Sequence, residues 1–304
     1  MTSSQTVIQK RARRKYITYP FIFEMIKINS PLKKSYRNTF YCCKDVYSNE
    51  ETVKTGRYLS KYCKNRWCLI CASIRTAVLI NAYKPILSEW KDKGFLTLTI
   101  RNCTAELLRK KIQEMNTVFY NAIQLDRALK KNSLKIKCVK KMEVTYSDKH
   151  KNYHPHFHII TETLEQAGYL LDYWFNHYSR EEVDSQGQNI KKADDESMIE
   201  LFKYFTKIVT KKKVIPPENL NEIFMAIRKM HTVRPFGFQV RLPEDEEEIE
   251  FNEESVDALD YDVYGWEQDL HDWVSKVTGE KLSGYDPSDK VKKWVEQFGV
   301  KNGN

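Results

Sequence analysis

Residues 137–161 read KCVKKMEVTYSDKHKNYHPHFHIIT, and how this stretch folds decides the architecture. Two runs, 137–146 and 154–161, carry the residues of strands and flank the polar loop SDKHKNY, which predicts a hairpin. His156 and His158 stand two apart on the second run, so a strand sends both rings to one face. Glu143 lies on the first run. A loop centred near residue 150 sets it almost opposite His158, at the roughly 5 Å of cross-strand neighbours. Two imidazoles and a carboxylate make a three-ligand site for a divalent metal, with positions open to substrate oxygens. The plain alternatives are a surface pair of histidines and a solvent-facing glutamate. His154 shares the face, but beside Pro155 at the start of the strand it ranks below the other two.

Working outward, FLTLTIRN (residues 95–102) alternates Phe95, Thr97 and Thr99 with Leu96, Leu98 and Ile100, the period of a strand. Before it, SIRTAVLINAYKPILSEWKDKG (73–94) has helical spacing, with Ser73 as its cap and Gly94 as its stop. After it, residues 104–130 predict a helix with Leu107, Leu108, Ile112, Met115, Val118 and Phe119 on its apolar face. Further helices are expected over 163–180, over 196–210 and from Pro216-Pro217 to about Met230, with FGFQV (236–240) strand-like. Strand, helix, strand, strand, helix is the order of an α+β fold, a ferredoxin/RRM-like split βαβ with a central antiparallel sheet covered by helices.

The helix expected over 196–210 reads ESMIELFKYFTKIVT. Glu200, Tyr204 and Lys207 fall at i, i+4 and i+7, so one face carries a carboxylate, a phenol and an ammonium. Two structural readings compete: Ser197 with Glu200 as an S-x-x-E capping box, and Tyr204 as a core residue.

Seven cysteines in a chain without an export signal argue against structural disulfides and for thiolates on a metal. Cys63, Cys68 and Cys71, in YCKNRWCLIC, are spaced C-x4-C-x2-C, and a tetrahedral structural zinc site takes a fourth ligand from Cys42 or Cys43. We take Cys42, with ordinary buried thiols as the alternative. Cys103 and Cys138 are isolated and read as core.

The net charge of +9 is unevenly placed. Residues 244–304 hold 18 Asp/Glu against 6 Lys/Arg, a net of −12, which leaves +21 on residues 1–243. That surplus suits a polyanion, since each neutralised phosphate releases counterions; a merely solvated basic surface is the alternative. KRARRK (10–15) reads as a basic arm, in contact with phosphates or frayed. From Glu244 to Asp262, 11 of 19 residues are acidic, which marks a boundary. Three domains are expected: 1–72, a basic arm with a Cys-rich, zinc-like module; 73–243, the catalytic domain; and 244–304, an acidic linker with a small helical appendage. No apolar run approaches the roughly 20 residues of a membrane span, and the first residues lack the apolar stretch of a secretory signal, so the expectation is cytoplasmic.

FLTLTIRN, HPHFHIIT and ELFKYFTK, preceded by CKNRWCLICASIR, together resemble the plasmid rolling-circle replication initiator (Rep) proteins of the HUH endonuclease superfamily, over roughly residues 60–240. The resemblance implies that His156 and His158 bind Mg²⁺ or Mn²⁺, that Glu143 is the third ligand as in related viral initiators, and that Tyr204 is the nucleophile. It also implies that Lys207 completes a Y-x-x-K spacing and that Glu200 occupies the glutamate position four residues before the tyrosine. One departure is Leu69 after Cys68, where relatives commonly have proline in C-P-x-C. A single tyrosine on the helix face points to the one-tyrosine type. The implied activity is origin-specific, metal-dependent nicking and joining of DNA through a 5′-phosphotyrosine link. No G-x-x-x-x-G-K-[ST] motif is present, so a host helicase is implied. The rival functions are a relaxase or transposase of the same superfamily, and a non-enzymatic zinc-containing DNA-binding regulator.

Overall fold

The computed structural model describes residues 3–202, 214–242 and 260–298. Its elements run α1 (Ser3–Lys27), α2 (Lys33–Phe40), β1 (Asp45–Ser48), α3 (Glu50–Thr55), β2 (Leu59–Ser60), α4 (Leu69–Glu89), β3 (Gly94–Thr99), α5 (Ala105–Ala128), β4 (Cys138–Ser147), β5 (Asn152–Thr161), α6 (Leu164–His177), β6 (Asn189–Lys192), α7 (Asp195–Phe202), α8 (Pro217–Ala226), β7 (Val233–Phe236), β8 (Asp262–Glu267), β9 (Asp272–Ser275) and α9 (Asp289–Glu296). The chain is mixed α+β with antiparallel sheets, and it divides into two compact units. None of the described helices is long and apolar enough to cross a membrane.

The first unit comprises residues 1–74, 208–221 and 244–304. KRARRK is not a free arm: it lies inside α1, which buries Ile8, Ala12, Ile17, Phe21, Ile22 and Met25. Nor are residues 260–298 a helical appendage. Their hairpin supplies two strands of a four-stranded sheet, β2-β1-β8-β9, with Val46 paired to Tyr264. Trp273 is fully buried, packs edge-on to Trp266 at 4.9 Å and donates through Nε1 to the Cys43 carbonyl at 2.8 Å. These contacts join segments more than 200 residues apart, which no local periodicity can signal.

The second unit comprises residues 75–207 and 222–243. Its five-stranded sheet has the order β6-β3-β5-β4-β7, every neighbour antiparallel. One face packs on α5 and α6, where Phe157 meets Phe119 and Trp174. The other packs Phe95, Val139 and Ile160 against Tyr83, Leu87 and Trp90 and against Met198, Leu201 and Phe202 of α7. Helix α4 starts at Leu69, four residues before Ser73. Ser73 Oγ donates to the Ile70 carbonyl at 2.7 Å and caps nothing, and the helix ends at Glu89, leaving Gly94 to open β3.

The hairpin forms, but its register differs from expectation. Glu143 pairs with His156, and Lys141 pairs with His158. The loop between Ser147 and Asn152 has four residues and centres the turn slightly earlier than residue 150. A slip of two along a strand keeps every side chain on its own face, whereas a slip of one would reverse them. Glu143, His156 and His158 therefore still share a face.

Candidate metal centres

On the α7 side of the second sheet, one ligand atom each from Glu143, His156 and His158 lie within 4.8 Å of one another. Glu143 is 1% exposed; its Oε2 stands 3.7 Å from His158 Nε2 and 3.1 Å from the ammonium of Lys141, itself 2% exposed. His158 is held by Phe95, stacked at 5.6 Å, and by Thr97 Oγ1, 3.3 Å from Nδ1. His156 Nδ1 sits 3.1 Å from the His154 carbonyl, so a proton there leaves Nε2 as the lone-pair atom. Burial pushes His156 down to about 4, with Glu143 opposing, so its ring is neutral and able to ligate at pH 7. His154 stacks on His156 at 5.3 Å and faces Asn102 Oδ1 at 2.8 Å, outside the three-residue group. Lys141, Phe95 and Thr97 were not singled out by sequence. For Lys141 a signal existed, since the period of two puts it on the face of Glu143.

Helix α7 brings the chain to this same face through Met198, Leu201 and Phe202. Its cap is Asp194, whose Oδ1 accepts from Ser197 N at 2.7 Å and Ser197 Oγ at 2.6 Å. Ser197 thus lies within the first turn, and the S-x-x-E box with Glu200 is not formed. Glu200 is half-buried on α7. Tyr204 and Lys207 lie outside the described residues, two and five positions beyond Phe202.

In the first unit, Cys42, Cys63, Cys68 and Cys71 converge, their sulfurs all within 4.8 Å of one another. Cys42 lies 3.5 Å from Cys71 and 3.6 Å from Cys68, and Cys63 lies 3.7 Å from Cys71. A tetrahedron with metal–sulfur bonds of about 2.3 Å has edges of about 3.8 Å. Hydrogen bonds from Cys42, Cys68 and Cys71 hold the Cys63 thiol far below its ordinary value. Four thiols this close cannot all ionise unless a cation joins them. Cys43, the other candidate for the fourth position, is buried outside the group. Lys15, buried on α1, donates to the carbonyls of Phe40 at 3.0 Å and Cys42 at 2.5 Å, placing a cation behind the thiols. No sequence pattern announced it.

The family model described as "Replication protein" matches residues 57–169 of this chain, a span holding Glu143, His156, His158, Cys63, Cys68 and Cys71. A Protein rep from Staphylococcus aureus is 28% identical over 188 residues, which are 56% of this chain and 79% of that protein. A Protein rep from a Bacillus species is 30% identical over 142 residues, 44% of this chain and 45% of the relative. A third, from Bacillus amyloliquefaciens, is 32% identical over 126 residues, 39% and 36% respectively. The chain thus spans less than half the length of the two Bacillus relatives it matches. No solved structure matches it. Over residues 57–169 the chain is thus similar to the replication-protein family, and over parts of its length to these Protein rep relatives.

Proposed function

We propose that this chain nicks and rejoins single-stranded DNA at a plasmid origin, as a rolling-circle initiator of the HUH type. The observation that carries the reading is the gathering of Glu143, His156 and His158 on the sheet face against which α7 packs, with Tyr204 two residues after that helix in the sequence. The strand order β6-β3-β5-β4 supports a ferredoxin/RRM-like split βαβ as the scaffold.

The donor set fits a divalent ion. Two imidazoles and one buried carboxylate suit Mg²⁺ or Mn²⁺, and three donors leave positions for phosphate oxygens. Such an ion, when bound, would polarise the scissile phosphate and offset the charge developing on its oxygens. The Tyr204 oxygen attacks phosphorus, the P–O3′ bond breaks, and the departing oxygen takes up a proton as the free 3′-OH. The 5′ phosphate stays on Tyr204. Because the new ester conserves the phosphodiester, a 3′-OH can later attack it and restore the strand. Lys207 fixes the phosphate or the phenolate, and Glu200 activates water at the final cleavage, releasing the enzyme. The free 3′-OH primes synthesis, and a host helicase opens the duplex. The four thiols, by number and softness, fit a structural Zn²⁺.

The deciding experiment incubates the protein with a labelled single-stranded library of candidate origin sequences and Mn²⁺, with Tyr204→Phe alongside. A covalent protein–DNA band on a denaturing gel, absent in Tyr204→Phe, is the expected result. No band with any sequence would sink the nicking reading in favour of a DNA-binding regulator.

A further inference from the structure

On the first unit, a row of aromatic rings, two exposed and two half-buried, takes no part in either metal centre. Tyr19 and Phe23 on α1 face Phe40 at the end of α2, with centroids 4.6 and 6.3 Å apart, and Phe40 meets Tyr41 edge-on at 5.2 Å. Phe23 is 43% exposed and Tyr41 56%, large values for rings that could have been buried. Cations are interleaved with them. Lys27 sits 4.4 Å from the Phe23 centroid and Lys44 6.0 Å from that of Tyr41. On α2, the exposed Lys33 and Arg37 precede Phe40 by seven and three residues, so the helix carries cations and rings on one stripe. Glu24, in an ion pair with Lys27 at 2.6 Å, lies beside the row.

We propose that this row is a stacking platform for single-stranded DNA, separate from the site of strand cleavage. Each base offers a flat face to a ring and each phosphate a charge to a lysine or arginine, a pairing tolerant of sequence. Charge complementarity favours this occupant, since residues 1–74, which bear the platform, hold 15 Lys/Arg against 4 Asp/Glu. A purely apolar partner would have to desolvate four cations, Lys27, Lys33, Arg37 and Lys44. The platform is also held rigid: Tyr41 directly precedes Cys42 of the thiol cluster, Lys15 ties the Phe40 and Cys42 carbonyls together, and Asn65 Nδ2 donates to the Ser35 carbonyl at 3.0 Å and to Thr39 Oγ1 at 2.9 Å on α2. Rings held in place lose less freedom when a base arrives. The inference deepens the nicking reading and borrows from it only the choice of DNA as the polyanion.

The test is fluorescence anisotropy with fluorescein-labelled dT15 and with a dT15·dA15 duplex, in buffer without divalent ions, using the full chain and its variants Tyr41→Ala/Phe23→Ala and Arg37→Glu. The double ring variant, with unchanged circular dichroism, should bind dT15 at least 5-fold more weakly per ring lost while losing little on the duplex. Arg37→Glu should lower the salt dependence of dT15 binding. Unaltered dT15 affinity in the folded ring variant overturns the platform, and so does an equal loss on duplex. Tighter dT15 binding by the ring variant also overturns it, and points to the acidic stretch 244–259 as the occupant. A protein that binds dT15 as described yet forms no covalent adduct would break the nicking reading and leave the platform standing.

Discussion

The two clusters of metal-fitting side chains are built on opposite plans. In the first unit, four soft thiols from a loop, a turn and the start of α4 close a tetrahedron among themselves and leave no place for a substrate atom. In the second, a carboxylate and two imidazoles stand on adjacent strands of a sheet, three donors on the face against which α7 packs. On the proposed reading, donor number and softness separate a site that would hold a fold together from one that would act on a phosphate. The buried lysines follow the same division. Lys15 sits behind the thiols and balances their charge, whereas Lys141 competes with any cation for Glu143.

The largest expected effect tests the closed site. Cys68→Ala removes a fully buried ligand, and because a structural zinc contributes its binding energy to folding, on the order of 10 kcal/mol in small zinc modules, the first unit should lose both bound zinc and its cooperative melting. Full zinc content and an unshifted melt would break the comparison at its root. Next, His156→Ala should weaken Mn²⁺ binding by more than the roughly 10–100-fold that loss of an outer partner costs, with the melt nearly unchanged. Calorimetric titration with Mn²⁺ reads the first quantity, and equal affinities would show that the three donors do not bind metal.

A third prediction concerns the opposite face of the second sheet, where Lys140 lies 4.2 Å from the Phe157 centroid and donates to Asn116 Oδ1. Burial pushes its ammonium down to about 7. The unfolded lysine keeps its proton up to about 10.5, so between these values the unfolded chain binds more protons and stability rises with pH. Lys140→Met should therefore stabilise the chain at pH 7 by on the order of 2 kcal/mol, once lost ring and amide contacts are deducted, with the gain fading toward pH 10. A melting temperature unchanged at pH 7 would show that this lysine carries no charge penalty. Last, Lys141→Met removes the rival cation beside Glu143 and should tighten Mn²⁺ binding by roughly 10-fold. Weaker binding would mean that Lys141 instead orients the carboxylate toward the ion.

Much of this arrangement was legible residue by residue. The period of two in HPHFHIIT and in KCVKKMEVTY is a local steric property of the strand, and it put His156 and His158 on one face, with Glu143 joining them at any register that differs from this one by an even number of residues. C-x4-C-x2-C likewise brought three thiols together through the short reach of its own loop. The register itself was not legible, because the exact turn within SDKHKNY depends on how its four loop residues close. Ser73 looked like a helix cap because a cap has a local signature. The thiol cluster just before α4 starts the helix earlier and leaves Ser73 inside it.

By itself, then, the sequence determined what is set by neighbours along the chain: the faces of strands and helices, the residue types available for metal and phosphate chemistry, and the uneven charge. Tertiary structure alone decided what depends on distant partners. It chose Cys42 over Cys43 for the thiol cluster, paired β8 with β1 across more than 200 residues, and brought Lys15 behind the sulfurs and Lys141 to Glu143. The physical reason is that each of these choices is an energy of burial or of pairing across the core, and it has no value until the two segments meet.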